Sequence, residues 1–281
     1  MNGDIPPASV LSAVGAELNA SLPGLSRGAW LLTRRDGSEV VASLATETGV
    51  TATAAAAELE VGPAIVGYVD GWLITQRVVG HHLTPVELRR PPVLRDLGRL
   101  LARWHCAPVE LKVARLALAR QQYALRAGER LTPGLRRLID WADEAEPTLT
   151  AQEVASVPAH LDVVANVLIT PLGLRLIDFE YAAAVGPARE LGQVIWEAEL
   201  SESSASSLVN AYLHATSRTD LLGSDDLVAA SATWSVVAGV TWTVWALSRP
   251  GPEMAQYSRR SLERLRAHWA WPNGLPVDEN S

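Results

Sequence analysis

The chain has almost no lysine. Of its 24 lysine-plus-arginine residues only Lys112 is lysine, which leaves 23 arginines. Any mechanism that needs a lysine upstream of residue 112 is excluded by inspection. Cysteine is equally scarce: Cys106 stands alone. That excludes a disulfide within the chain and a cysteine-rich metal site, and it fits a reducing, cytoplasmic setting. The opening MNGDIPPASV has no basic start followed by an apolar run, so no secretory signal is expected. No low-complexity stretch dominates, and 48% of the 281 residues are hydrophobic, so a substantial core is expected rather than a fibrous or disordered chain. Formal net charge is −7, which speaks against a protein that coats nucleic acid.

One stretch competes with a reading free of membrane spans. Leu227 to Ser248 carries no charge and is long enough to cross a bilayer. It also holds hydroxyl residues throughout, and Trp234, Ala238, Trp242 and Trp245 share one helical stripe. A buried or pocket-lining helix is expected there, with a single membrane span as the alternative.

Along the chain the pattern changes near residue 80. Residues 1–21 read as a short helix. Strands are expected at Ala29–Arg34 and Glu39–Leu44, joined by Arg35-Asp36-Gly37-Ser38, and at Ala64–Tyr68 and Trp72–Val78, joined by Asp70-Gly71. The alanine-rich segment Thr51–Leu59 reads as helix. From Pro92 onward the period is helical, with expected helices at 92–105, 110–130, 133–145, 188–200, 202–216, 225–248 and 253–269. Two short strands, Val167–Thr170 and Leu174–Ile177, interrupt them through the turn Pro171-Leu172-Gly173. The expected division is a β-rich lobe over 1–80 with a linker at 75–80, a helical lobe over 81–272, and a frayed tail over 273–281.

The chemistry concentrates in VPAHLDVVANVLITPLGLRLIDFEYAAAVGPARE, residues 157–190. His160, Asp162 and Asn166 precede the strand-turn-strand, and Asp178-Phe179-Glu180 ends it. Two acids and an amide gathered by a hairpin suit a divalent cation. Mg2+ prefers oxygen ligands and commonly keeps waters and substrate phosphates in its shell. Asp178 can supply a carboxylate and Asn166 an amide oxygen, which leaves Asp162 to accept a proton from a substrate hydroxyl or to orient it. Phosphoryl transfer needs these parts and little covalent chemistry from the protein.

His160-x-Asp162 with Asn166, and Ile177-Asp178-Phe179-Glu180-Tyr181, resemble the motifs of the aminoglycoside phosphotransferase and choline kinase family, most of all its thiamine-kinase-like members. Weaker matches follow in the same order: Asp70-Gly71-Trp72-Leu73-Ile74, Gly80, Leu100 to His105, and Pro187 with Glu190-Leu191. The resemblance covers about residues 22–270. It implies an α+β, two-lobed, protein-kinase-like fold with a small antiparallel N-lobe and a larger helical C-lobe. It implies ATP between the lobes with adenine against Gln76, Arg77 and Val78. It also implies Asp162 as catalytic base, Asn166 and Asp178 as Mg2+ ligands, and His160 as a structural brace.

Three features depart from that family. Only three residues separate Asp162 from Asn166, where four are usual, so the loop either tightens around Asn166 or removes it from the metal. The basic residue that binds phosphate falls at about Ala42, and its acidic partner near Ala52; neither alanine can do that work. Arg34, Arg35 and Arg77 are candidate replacements, because guanidinium binds phosphate well.

Elsewhere each residue has two readings. Ser26 and Arg27, within Gly24–Gly28, are expected either to cover ATP phosphates with backbone N–H groups or to form an ordinary hairpin turn. His81 and His82 follow Gly80; bordering the nucleotide cleft is one reading, and a solvated loop is the favoured one. Most of the ten tryptophans should be core. Trp196 and Trp242, with Glu197 and Glu180, are candidate contacts for a cationic acceptor, since aromatic faces attract organic cations; helix packing is an equal alternative for each. The leading expectation is an ATP- and Mg2+-dependent kinase acting on a hydroxyl of a small cationic metabolite or an antibiotic. The alternatives are a kinase for Ser or Thr in a peptide natural-product precursor, and a pseudokinase that binds a ligand or partner subunit without transfer.

Overall fold

The element order begins with α1 (Ala8–Val14), β1 (Ala16–Leu22), β2 (Ala29–Arg34), β3 (Glu39–Leu44), α2 (Glu47–Glu58), β4 (Ile65–Val69) and β5 (Trp72–Gln76). Then come β6 (His81–His82), α3 (Pro85–Leu88), α4 (Pro91–His105), α5 (Leu116–Ala127), α6 (Pro133–Gln152), β7 (Val157–Ala159) and α7 (Val163–Asn166). The chain closes with β8 (Val167–Thr170), β9 (Gly173–Leu176), β10 (Ala183–Val185), α8 (Pro187–Glu197), α9 (Glu202–Ala215), α10 (Ser224–Leu247) and α11 (Pro252–Ala267). These come from a computed structural model that describes residues 5–22, 28–114, 116–153 and 155–268. The expected frayed tail, and the expected phosphate contacts Ser26 and Arg27, lie outside the described residues.

The chain divides into two compact units. The first gathers residues 1–84, 100–112 and 158–183; the second holds 85–99, 113–157 and 184–281. A boundary at residue 80 was expected, with the catalytic segment in the helical part. In the structure that segment groups with residues 1–84, and backbone bonds join it to the residues after α2 and β6. Leu176 N–H donates to Val61 O at 2.8 Å and Leu83 N–H donates to Val167 O at 3.2 Å.

In the first unit five antiparallel strands run β1-β2-β3-β5-β4. Asp70-Gly71 forms the β4–β5 turn, with left-handed φ at both residues (51° and 81°). The segment before residue 22 is not one helix. α1 ends at Gly15, which takes the left-handed conformation and donates to Leu11 O and Ser12 O. Residues 16–22 then pair with β2, with an irregularity between Leu18 and Ala20. Their weak helical preference yields to the unpaired edge of β2. One face of the sheet is dry: Val40, Ala42, Leu32, Trp72 and Ile74 bury against Val10 of α1.

In the second unit α10 is the central helix. It is the one helix among the described residues long and apolar enough to cross a membrane, and 72% of its most apolar window is buried within the structure. That is the environment of a core helix. α8 is enclosed nearly all round, with Pro187 to Trp196 buried. Charge in this core is paired: Arg120, wholly buried, donates from Nε to Asp143, from Nη2 to Glu146 and from Nη1 to Thr241. The helix expected over 110–130 runs from Leu116 to Ala127; residues 110–114 are not helical, and Val113 bridges Ala184 in parallel.

Candidate active site

The site is made by a two-residue hairpin. β8 and β9 pair from Thr170↔Gly173 to Val167↔Leu176. Thr170 Oγ1 closes the turn, donating to Gly173 O at 2.8 Å and accepting Leu172 N–H at 3.1 Å. The register continues one step past the strands, where Ile177 N–H donates to Asn166 O at 3.0 Å. Asn166 and Asp178 therefore stand at the open end of one hairpin, on opposite strands.

His160 locks the two strand ends together. Its Nδ1 accepts Asp162 N–H at 3.2 Å, and Nε2 lies 2.8 Å from Ile177 O. An acceptor at Nδ1 and a donor at Nε2 assign the Nε2–H tautomer. The ring is fully buried and lies 4.6 Å from the ring of Phe179, which meets Trp104 edge-on at 5.1 Å. Phe179, the chain's single phenylalanine, is thus the apolar anchor of the segment that carries Asp178. Gly62 makes room for it: a Cβ there would lie 2.8 Å from Ala56 Cβ and 3.1 Å from the Phe179 ring. His160 thus bridges the backbone at Asp162 and Ile177.

The loop between Asp162 and Asn166 is tight. It forms the single helical turn α7, and Asn166 folds back on its start. Asn166 Nδ2 donates to the Asp162 carboxylate at 2.8 Å and to Asp162 O at 3.0 Å. The amide nitrogen is thereby spent on Asp162, and the amide oxygen is the atom Asn166 could offer a cation. Burial pushes the Asp162 carboxyl up to about 6. The neighbouring Asp178 and Glu180 carboxylates push the same way, against the Asn166 amide. Leu161 and Asp178 both take left-handed backbone (φ 63° and 59°) without being glycine. Each such residue costs on the order of 1–3 kcal/mol, and such costs cluster at functional sites.

This donor set fits Mg2+. It offers one amide oxygen and the exposed Asp178 carboxylate, in a site whose carboxylates repel one another. No trio of His, Cys, Asp or Glu among the described residues is close enough to hold an ion alone. A cation here would complete its shell with phosphate oxygens and water, as Mg2+ does with nucleotides.

The remaining candidates divide. Gln76 ends β5 and its N–H donates to Ala64 O at 2.8 Å; Arg77 N–H donates to Glu39 O at 3.2 Å. The Arg77 guanidinium pairs with the Glu39 carboxylate, and Val78 is half-buried in the extended linker. Arg34 is engaged by Val14 O through Nε at 3.3 Å. Ala42 faces α1 with Val40, so Val41 and Ser43 present the opposite face of β3, and neither is charged. Ala52 is buried in α2.

Among the acceptor candidates, Glu180 is half-buried and Glu197 accepts Gln193 Nε2–H at 3.0 Å. Trp242 is half-buried, 5.4 Å from the Trp245 ring. Trp196 corrects the expectation placed on it. It is fully buried, with Arg264 4.0 Å over its ring and His268 stacked at 6.0 Å, so it is a packing residue with no surface for an acceptor. His82 was expected in a solvated loop; it is exposed but lies in β6, and its Nδ1 is 3.0 Å from Ala165 O, in the turn between Asp162 and Asn166. Only its place beside Gly80 in the sequence hinted at this.

An antiparallel sheet with a helix after its third strand, a linker, and a hairpin flanked by His-x-Asp…Asn and Asp-Phe-Glu defines a kinase-like phosphotransferase fold. The chain belongs to the phosphotransferase enzyme family, whose model matches residues 16–222. It is 32% identical over 153 residues to a thiamine kinase of Salmonella paratyphi B; the match spans 53% of this chain and 52% of that enzyme, about half of each. The fold is also that of a choline/ethanolamine kinase family protein from Mesorhizobium loti, with TM-score 0.73, 19% identity, and coverage of 92% of this chain and 89% of that one. An amicoumacin kinase solved with AMP-PNP, Ca2+ and amicoumacin shares it at TM-score 0.67 and 10% identity, over 95% and 93% of the two chains.

Proposed function

We propose that the protein is an ATP- and Mg2+-dependent kinase that phosphorylates a hydroxyl of a small cationic metabolite, with thiamine the first candidate. The carrying observation is the Asn166–Asp162 bond at 2.8 Å, which fixes the Asp162 carboxylate beside the carboxylate of Asp178. The likeness to thiamine kinase supports the acceptor class, since thiamine is a cation with a primary hydroxyl. The nucleotide and divalent cation of the amicoumacin kinase support the cofactors.

In this reading Asp162 orients the acceptor hydroxyl and receives its proton as the oxygen attacks the γ-phosphorus in line. The bond from γ-phosphorus to the bridging oxygen breaks, ADP leaves, and the proton passes from Asp162 to solvent. Asn166 holds the Asp162 carboxylate at fixed reach. Asn166 and Asp178 would hold Mg2+, which offsets charge on the phosphate oxygens. Gln76, Arg77 and Val78 are proposed to line the adenine. Glu180, Glu197 and Trp242 are proposed as acceptor contacts.

A second reading, nucleotide binding without transfer, is favoured by one observation: Val41 and Ser43 leave the open face of β3 without a phosphate-binding charge. Purified protein incubated with γ-labelled ATP, Mg2+ and separately thiamine, choline, ethanolamine, an aminoglycoside and a serine peptide decides between them. The proposal expects label on thiamine or another cationic alcohol, abolished in Asp162→Ala. Label on none of them, with nucleotide still bound, supports the second reading.

A further inference from the structure

The carbonyls of a single helical turn have no partners within it, so each needs a donor from elsewhere. At α7 and its N-cap three such contacts are seen. Asp162 O accepts Asn166 Nδ2–H at 3.0 Å, Asn166 O accepts Ile177 N–H at 3.0 Å, and Ala165 O lies 3.0 Å from His82 Nδ1. The first two come from the turn and its hairpin. The third arrives from the segment that follows the linker.

We propose that His82 is a positioning residue of the catalytic turn: its imidazole N–H holds the Ala165 carbonyl and so fixes Asn166, the next residue, toward both Asp162 and the metal. This rests on the roles assigned above to Asp162 and Asn166. The backbone is arranged to deliver that ring. β6 pairs antiparallel with β8, His81 opposite Ile169 and His82 opposite Leu168, and Leu83 N–H donates to Val167 O at 3.2 Å. Gly80 permits the approach, since a Cβ there would lie 2.5 Å from Ile169 O. The ring then reaches back along β8 to the residue before Asn166. The turn needs such support. It has one residue fewer than the family pattern, and Ala165 is exposed and carries no side chain able to brace itself.

His82 touches neither substrate nor metal, so its effect would pass through Asn166. A misplacement of about 1 Å at a reacting group can cost on the order of a hundredfold in rate. Removing the donor should therefore lower kcat and raise the Mg2+ concentration needed for half-maximal activity, with little change in the KM for ATP.

The test compares His82→Ala, His82→Phe and His82→Asn with the parent protein. Asparagine places an amide N–H near the position of Nδ1; phenylalanine keeps a ring without the donor. With ATP, Mg2+ and thiamine, the expected result is a loss of about tenfold to a hundredfold in kcat for His82→Ala and His82→Phe. The Mg2+ requirement rises with it, and His82→Asn restores most of both. Amide hydrogen exchange at residues 163–168 is read in parallel and should accelerate in the first two variants only. Equal loss in all three, or no loss and unchanged exchange, overturns the inference. Asp162→Ala separates the levels. If it keeps full turnover, the proposed function fails, and the exchange data alone judge His82. If it is inactive while His82→Ala matches the parent in rate and exchange, only the role of His82 fails.

Discussion

Asn166 spends its amide nitrogen on Asp162, donating to the carboxylate at 2.8 Å. The proposed catalytic base and one proposed metal ligand are thus joined by one hydrogen bond. Asp162→Asn should abolish phosphate transfer, because an amide cannot take the hydroxyl proton. The same change removes a charge that faces Asp178 and Glu180 across a partly desolvated site. In metal-free buffer it should leave stability unchanged or raise it by about 1–2 kcal/mol, as relief of like-charge crowding does. Paired activity and denaturant-melt measurements check both halves; a strong loss of stability would contradict the account.

Glu153 gives a pH dependence of stability. Burial raises its carboxyl to about 7, despite the nearby Arg189 guanidinium, from an ordinary 4.5. The folded state therefore binds its proton more tightly than the unfolded chain does. The associated stability is complete below about pH 4.5 and is lost as pH rises through 7, by up to about 3 kcal/mol. Glu153→Gln should flatten this part of the profile. Urea melts between pH 5 and 8 measure it, and an identical slope in both proteins would reject the assignment.

Phe179→Ala should cost about 3–5 kcal/mol, because the ring is buried between His160 and Trp104. Gly62→Ala approaches the same anchor from the other side and should cost about 1–3 kcal/mol while lowering activity, since the ring must shift. Denaturation midpoints with parallel turnover measurements test the pair.

Arg120→Ala should destabilise by about 3–5 kcal/mol, because it strands Glu146 in the core without its cation. Arg120→Met with Glu146→Gln should recover part of the loss. Thermal melts of the single and double variants show whether it does.

Much of this was legible in the sequence. Asp36-Gly37 and Asp70-Gly71 marked the hairpins, and Pro171-Leu172-Gly173 marked the turn that brings Asn166 beside Ile177. His160, Asp162, Asn166 and Asp178 were visible as a set because their chemistry is carried by residue type and order. What was hidden depends on tertiary pairing. β1 exists because β2 has an edge to fill, and β6 is two residues long. The face of Ala42 is decided by where α1 lies against the sheet. Trp196 and Trp242 are the same residue type, and only burial separates the enclosed Trp196 from the half-buried Trp242. The contact of His82 spans 83 positions and leaves no periodic trace.

The most direct test is a titration of Mn2+ in the presence of AMP-PNP, followed by electron paramagnetic resonance, on the parent, Asn166→Ala and Asp178→Ala. The account predicts one nucleotide-dependent ion in the parent and affinity weakened at least about tenfold in each variant. Parent-like binding of Mn2+ in both variants would contradict it.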